Sequence, residues 1–124
     1  AFQVLFKDEF SPFQKAMILP IVTLKNTSFN AVEIGVGTGN TALEFLNSFP
    51  HMKLSCLDID PEALKMSRSK LTIFSKRINF VQGNIFTYST AKKFDVVYSA
   101  LTFHNFSPAQ QVLFLQKTKS LLDK

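Results

Sequence analysis

Three of the chain's four glycines fall within five residues, Gly35-Val36-Gly37-Thr38-Gly39. Glycine lets the backbone turn sharply and lets a ligand approach amide N–H groups with no Cβ in the way. A helix N-terminus just beyond favours a negative ligand group. Nucleotides and S-adenosylmethionine both exploit such a turn. A dinucleotide fingerprint needs G-x-G-x-x-G/A. Counted from Gly35, its last glycine position falls on Asn40, whose side chain would intrude on close helix-to-strand packing. A Walker A loop fails as well, because Gly39 is followed by Asn40-Thr41 and not by a Lys-Ser/Thr pair. Metal and hydrolase chemistry are not suggested: no His/Cys/carboxylate spacing suits a metal, and no serine sits in a G-x-S-x-G turn.

The elements that must carry this turn can be read from apolar spacing. Ala31–Ile34 reads as a short buried strand running into the glycines. Ala42, Phe45, Leu46 and Phe49 recur on one face of a helix that Pro50 ends. Lys53–Leu57 reads as a second strand, and Asp60-Pro61 as a cap and favoured first residue of a helix to about Phe74. Ile78–Val81 and Phe94–Tyr98 supply a third and a fourth strand. Ser107-Pro108 with Gln110 opens a last helix to about Leu122. Upstream, Ser11-Pro12 with Gln14 has the layout of a capping box, followed by Phe13, Met17, Ile21 and Leu24 at helical spacing. Strands alternating with helices predict an α/β, Rossmann-like doubly wound, mostly parallel sheet, with ligands at the carboxyl ends of its strands.

The chain has 124 residues, 46% of them hydrophobic, with one Cys and no internal repeat or Pro/Gly-rich linker. Such a chain forms one domain, burying roughly two thirds of its unfolded surface. Within it, residues 1–30 read as an N-terminal helical segment and 31–124 as the ligand-binding unit. No stretch reaches the ~18 apolar residues of a membrane span, and Lys7, Asp8 and Glu9 interrupt a secretory h-region. The expected setting is cytoplasmic and reducing, with Cys56 a small buried apolar residue. The net charge of +5 comes from scattered residues, twelve of the fourteen cations being Lys. Scatter of that kind describes a solvated surface better than a nucleic-acid footprint.

With Glu33 leading it, Glu33-Ile34-Gly35-Val36-Gly37-Thr38-Gly39 resembles motif I of the class I S-adenosylmethionine-dependent methyltransferases. The resemblance continues in order and spacing over roughly residues 31–122. Leu57-Asp58-Ile59-Asp60 looks like the end of that family's second strand, which implies that Asp58 accepts hydrogen bonds from both ribose hydroxyls, with Ile59 beside it. Gln82-Gly83-Asn84-Ile85 falls where the family usually has Gly-Asp and holds the adenine. Asn84 pairs there without charge assistance. Phe94-Asp95-Val96-Val97-Tyr98-Ser99-Ala100, continued by Leu101-Thr102-Phe103-His104, resembles the fourth motif, placing Ser99 along the cofactor. An Asn/Asp-Pro-Pro-aromatic tetrapeptide of the DNA-base branch is absent, so no DNA acceptor is expected.

The resemblance implies a transferase that binds S-adenosylmethionine at Glu33, Gly35, Gly37, Gly39, Asp58, Ile59, Asn84, Ile85 and Ser99, and methylates a small molecule or RNA. Glu33 is expected to orient the glycine turn or the cofactor's ammonium, and Asp95 to be structural. His104, with a near-neutral reference pKa close to the implied methyl-transfer point, is the candidate general base. Its alternative is packing beside Phe103 and Phe106. Methylation by a sulfonium needs little acid or base help, because the leaving group is a neutral thioether. The family's sheet has seven strands, and only four are legible here. The fourth strand is therefore expected to present an unpaired edge that a homodimer or partner chain would cover. The alternative reading is a noncatalytic or incomplete S-adenosylmethionine-binding module.

Overall fold

The computed structural model describes residues 3–6, 23–99 and 105–122. Its strands are β1 (Gln3–Phe6), β2 (Phe29–Ile34), β3 (Met52–Asp58), β4 (Ile78–Gln82) and β5 (Val96–Ser99). Its helices are α1 (Asn40–Ser48), α2 (Pro61–Lys70) and α3 (Pro108–Leu121), with a 3-10 turn at Thr72–Arg77. The sheet order is β1-β5-β2-β3-β4, and every pairing is parallel.

Both faces of the sheet are covered, which is why β2 and β3 read as continuous apolar runs with little alternation. Phe29, Ala31, Leu54, Cys56, Val96 and Tyr98 pack on one face with Ala42, Phe45 and Leu46 of α1 and Leu64 of α2. Val32, Ile34, Leu57 and Val97 pack on the other with Phe114 and Leu121 of α3. The Phe45 and Tyr98 rings stack with centroids 3.8 Å apart and planes 8° from parallel. Burying a side chain such as Phe45 stabilises by about 1.5–3 kcal/mol.

Local chemistry fixes the helix ends. Asp60 accepts the Glu62 N–H at 3.0 Å and Pro61 takes the first position of α2. Ser107 and Gln110 form the reciprocal capping box of α3. The end of α1 is closed from afar: the Arg77 guanidinium donates to the carbonyls of Leu46, Phe49 and Met52. It thereby satisfies acceptors that a helix terminus leaves orphaned. At the start of β5, Asp95 and Asn30 exchange bonds: Asn30 N–H donates to Asp95 Oδ2 at 3.0 Å and Asp95 N–H to Asn30 O at 2.8 Å.

Four expectations are corrected. The N-terminal segment is not helical throughout, since Gln3–Phe6 is a strand. That strand pairs with β5 from Gln3↔Val96 to Phe6↔Ser99, so the fourth-strand edge is occupied by the chain itself. α2 stops at Lys70, because Leu71 turns into the core and the single Thr72 hydroxyl hydrogen is shared between Ser69 O at 2.8 Å and Arg68 O at 3.1 Å. Phe94 makes only an isolated bridge with Leu122, and β5 begins at Val96. The helix expected after Ser11 lies outside the described residues. Among the described residues, no helix is long and apolar enough to cross a membrane.

Candidate functional site

The chain runs outward from β2 to β3 to β4 and then returns to the opposite side of β2 as β5. Such a reversal opens a crevice beyond the carboxyl ends of the strands. A cleft of about 330 Å³ lies there. Ile34 at the end of β2 with Gly35 after it, Leu57 and Asp58 at the end of β3 with Ile59 after them, and Gly83 to Phe86 after β4 form three walls. Phe106 and Gln110, at the start of α3, close the fourth.

The glycine turn is shaped by backbone conformation. Gly37 and Gly39 have φ of 56° and 89°, in the left-handed region that L side chains rarely adopt. A Cβ at Gly37 would meet nothing within 4 Å, whereas one at Gly39 would lie 3.3 Å from Ser67 Oγ. Gly37 thus faces open space while Gly39 is pressed against α2. The turn is anchored at its start and its middle: Gly35 N–H donates to Leu57 O at 2.7 Å, and Ser67 Oγ donates to Gly37 O at 2.9 Å.

Asp58 joins the glycine turn to β3. Its Oδ2 accepts the Gly37 N–H at 3.1 Å and its Oδ1 the Asp60 N–H at 2.9 Å. Two oxygens carry about four lone-pair directions, so the carboxylate retains acceptor capacity toward the cleft. Ile59 stands beside it, 62% exposed, an apolar side chain at the rim of a mostly apolar cleft. Beyond β4, Asn84 Oδ1 accepts the Phe86 N–H at 2.9 Å, which bends the chain so that Ile85 and Phe86 turn toward the cleft.

Of the residues singled out in the sequence, Gly35, Asp58, Ile59, Asn84 and Ile85 line one cleft. Gly37 meets it through Asp58, and Gly39 supports the turn from behind. Ser99 is buried and donates to Ile34 O at 2.9 Å, tying the ends of β5 and β2 beneath the cleft. Glu33 is fully buried on the α1 side, level with Tyr98 and Cys56 in the strand pairings. Burial raises the pKa of Tyr98 and of Cys56, and the charge of Glu33 raises both further. His104 lies outside the described residues. Among those described, no group of His, Cys, Asp and Glu could hold a metal. Sequence reading named Phe106 only as a packing neighbour of His104, and missed Phe86 and Gln110 as cleft residues. Gln110 was legible as a helix cap, but only the packing of α3 brings it to the strand ends.

A family profile described as Methyltransferase domain matches residues 31–124. Malonyl-[acyl-carrier protein] O-methyltransferase 2 of Ilyobacter polytropus is 33% identical over 95 residues, which are 77% of this chain and 33% of that protein. Ribosomal RNA small subunit methyltransferase H of Rhodococcus opacus is 31% identical over 81 residues, 65% of this chain and 21% of that protein. The chain therefore spans about a third or less of these curated relatives. The N-methyltransferase NodS of Bradyrhizobium japonicum, solved with S-adenosyl-L-homocysteine, superposes with a TM-score of 0.74 at 21% identity, over 94% of this chain and 59% of that one.

Proposed function

From the premise that the chain belongs to the methyltransferase domain family, we propose that it binds S-adenosylmethionine in the cleft beside Gly35 and Asp58 and transfers its methyl group to a small-molecule or RNA acceptor. The observation that carries this reading is the contact between Gly37 N–H and Asp58 Oδ2, at 3.1 Å. It brings a glycine turn with open space before it and a carboxylate with spare acceptor capacity to one mouth. These features fit a nucleoside with vicinal hydroxyls and a flexible charged tail.

The ligand, when bound, supplies an activated methyl on a sulfonium. The protein's part is position. Asp58 would accept from the ribose hydroxyls, the Gly35–Gly39 turn would let the tail approach backbone amides, and Ile59, Ile85 and Phe86 would hold the base between apolar surfaces. Ser99 and Glu33 would act through the turn: Ser99 by fixing the end of β2, Glu33 by its buried charge behind it. His104 would be the proton acceptor where the substrate nucleophile carries a proton. Good orientation contributes on the order of 7–11 kcal/mol to lowering a barrier, enough to leave little for acid–base groups. The buried free thiol of Cys56 suits a cytoplasmic, reducing setting.

Isothermal titration with S-adenosylmethionine and S-adenosylhomocysteine tests the reading. Saturable binding to the wild type that weakens strongly in Asp58→Ala supports it, and absence of heat with both ligands refutes it.

A further inference from the structure

The chain's cations are scattered in sequence and gathered in space. Among the described residues, Lys65, Arg68 and Lys70 lie on α2, and the other eight stand at the amino end of the sheet, opposite the cleft. Lys25 is in the turn that leads into β2, Lys53 is the second residue of β3, and Lys76 and Arg77 run straight into β4. Lys92 and Lys93 precede β5. α3 starts at the cleft with Gln110 and ends where Leu121 O accepts the Phe94 N–H at 2.8 Å, so Lys117 and Lys119 in its last turns reach the same end. All but Arg77 and Lys117 are exposed. Arg77 is engaged by the carbonyls around it, and Lys93 Nζ donates to Ser120 O at 2.6 Å, which holds that ammonium against the end of α3.

The carboxylates are distributed the other way. Asp58, Asp60 and Glu62 are at the cleft end, Glu44 is midway along α1 and Glu33 is buried. Of the described acids only Asp95 shares the amino end, and its Oδ2 accepts the Asn30 N–H at 3.0 Å. Like charges gathered on one face raise the potential there and attract a polyanion. The strands that carry them are neighbours in the order β5-β2-β3-β4. At ~4.8 Å per strand the row spans about 15 Å, the length of about four phosphates at ~3.4 Å each along a strand axis. Lysine, a compact ammonium on a flexible stem, suits phosphate oxygens as a point charge. Large apolar side chains that would enter a bilayer are scarce here: of those exposed, Ile59 is at the cleft mouth, Met66 is on α2, and Val112, Leu113 and Leu115 precede the lysines of α3, which leaves Ile73.

We propose that this amino-end face docks the phosphate backbone of RNA. It lies about 20 Å behind the cleft, separated from it by the length of β3. RNA is the polyanion that the reading of the cleft admits as an acceptor, and the choice of it rests on that reading. The face holds backbone and takes no part in the chemistry. Fluorescence anisotropy of a labelled single-stranded RNA oligonucleotide with the full chain tests it, beside calorimetry with S-adenosylhomocysteine. The wild type is expected to bind at low salt and to lose affinity with a slope of about −3 in log K against log salt, as about four contacted phosphates give. Lys53→Glu with Lys76→Glu should weaken RNA binding by about tenfold or more and flatten that slope, with S-adenosylhomocysteine affinity unchanged. Lys65→Glu with Arg68→Glu makes the same change of net charge on α2 and should weaken RNA binding far less. Equal losses in the two pairs overturn the proposal. So does RNA that fails to bind at low salt while S-adenosylhomocysteine binds, which leaves the reading of the cleft intact. Binding to phosphatidylserine–phosphatidylcholine vesicles in place of RNA would assign the face to a lipid surface and overturn it as well. RNA bound through these lysines, with no heat from S-adenosylhomocysteine or S-adenosylmethionine, refutes the cofactor reading and leaves the docking face standing.

Discussion

Gly37 donates its amide hydrogen to Asp58 Oδ2 across the ends of two neighbouring parallel strands, at 3.1 Å. The glycine turn and the carboxylate are twenty-one residues apart in sequence, and this bond makes them one surface. The Asp60 N–H occupies the other oxygen, so the carboxylate is oriented before any ligand arrives.

Asp58→Asn retains the shape and loses charge and half the acceptor capacity. Hydrogen bonds to charged groups contribute about 1.5–3 kcal/mol each. S-adenosylhomocysteine affinity should fall by roughly 10–100-fold, measured by calorimetry, with far-ultraviolet circular dichroism unchanged. Affinity within threefold of wild type would remove Asp58 from the site.

The glycines separate stability from binding. Gly37→Ala places a Cβ in open space, so it should cost about 1–2 kcal/mol of left-handed backbone strain and weaken ligand binding. Gly39→Ala, at φ 89° and facing Ser67 Oγ at 3.3 Å and Ser67 Cα at 3.4 Å, should lower the urea midpoint further than Gly37→Ala does. Equal midpoints would show that α2 yields to the added methyl.

Arg77→Ala removes the donor shared by the Leu46, Phe49 and Met52 carbonyls and the cation over the Phe74 ring, 5.5 Å from its centroid. Arg77→Lys, with one compact ammonium, should recover only part of the loss. The expected cost for Ala is about 1–3 kcal/mol, seen as a lowered Tm with ligand affinity per folded molecule unchanged.

Alkaline pH should destabilise the fold. Burial first, then the charges of Glu33 and Asp58, hold Cys56 protonated in the native state, and burial with Glu33 does the same for Tyr98. Both native pKa values are raised, so the stability they give is complete below the unfolded values, about 8.5 and 10. It is lost as pH climbs through the native ones. The urea midpoint should fall above about pH 8.5, and Cys56→Ala should flatten the first part of the decline. A midpoint level from pH 8 to 10.5 would contradict the assignment.

What the sequence disclosed was whatever is encoded by neighbours. The Asp60-Pro61 cap, the Ser107–Gln110 box and the glycine turn each depend on contacts within a few residues, and each is present. β1 was not legible, because four residues give no periodicity and their pairing is with Val96–Ser99 at the other end of the chain. Arg77 looked like one more surface cation until the carbonyls of α1 and β3 were placed around it. The cleft was half legible: its strand-end residues follow motifs, while Phe106 and Gln110 arrive only through the docking of α3 by Phe114 and Leu121.

Ser67 Oγ lies 2.9 Å from Gly37 O and 2.8 Å from Ala63 O, and a hydroxyl has a single hydrogen to give. Its own helix and the neighbouring turn share that hydrogen as a three-centre bond. A single hydroxyl thus fastens the glycine segment to the helix that its own backbone builds, so Ser67→Ala would release both contacts at one stroke.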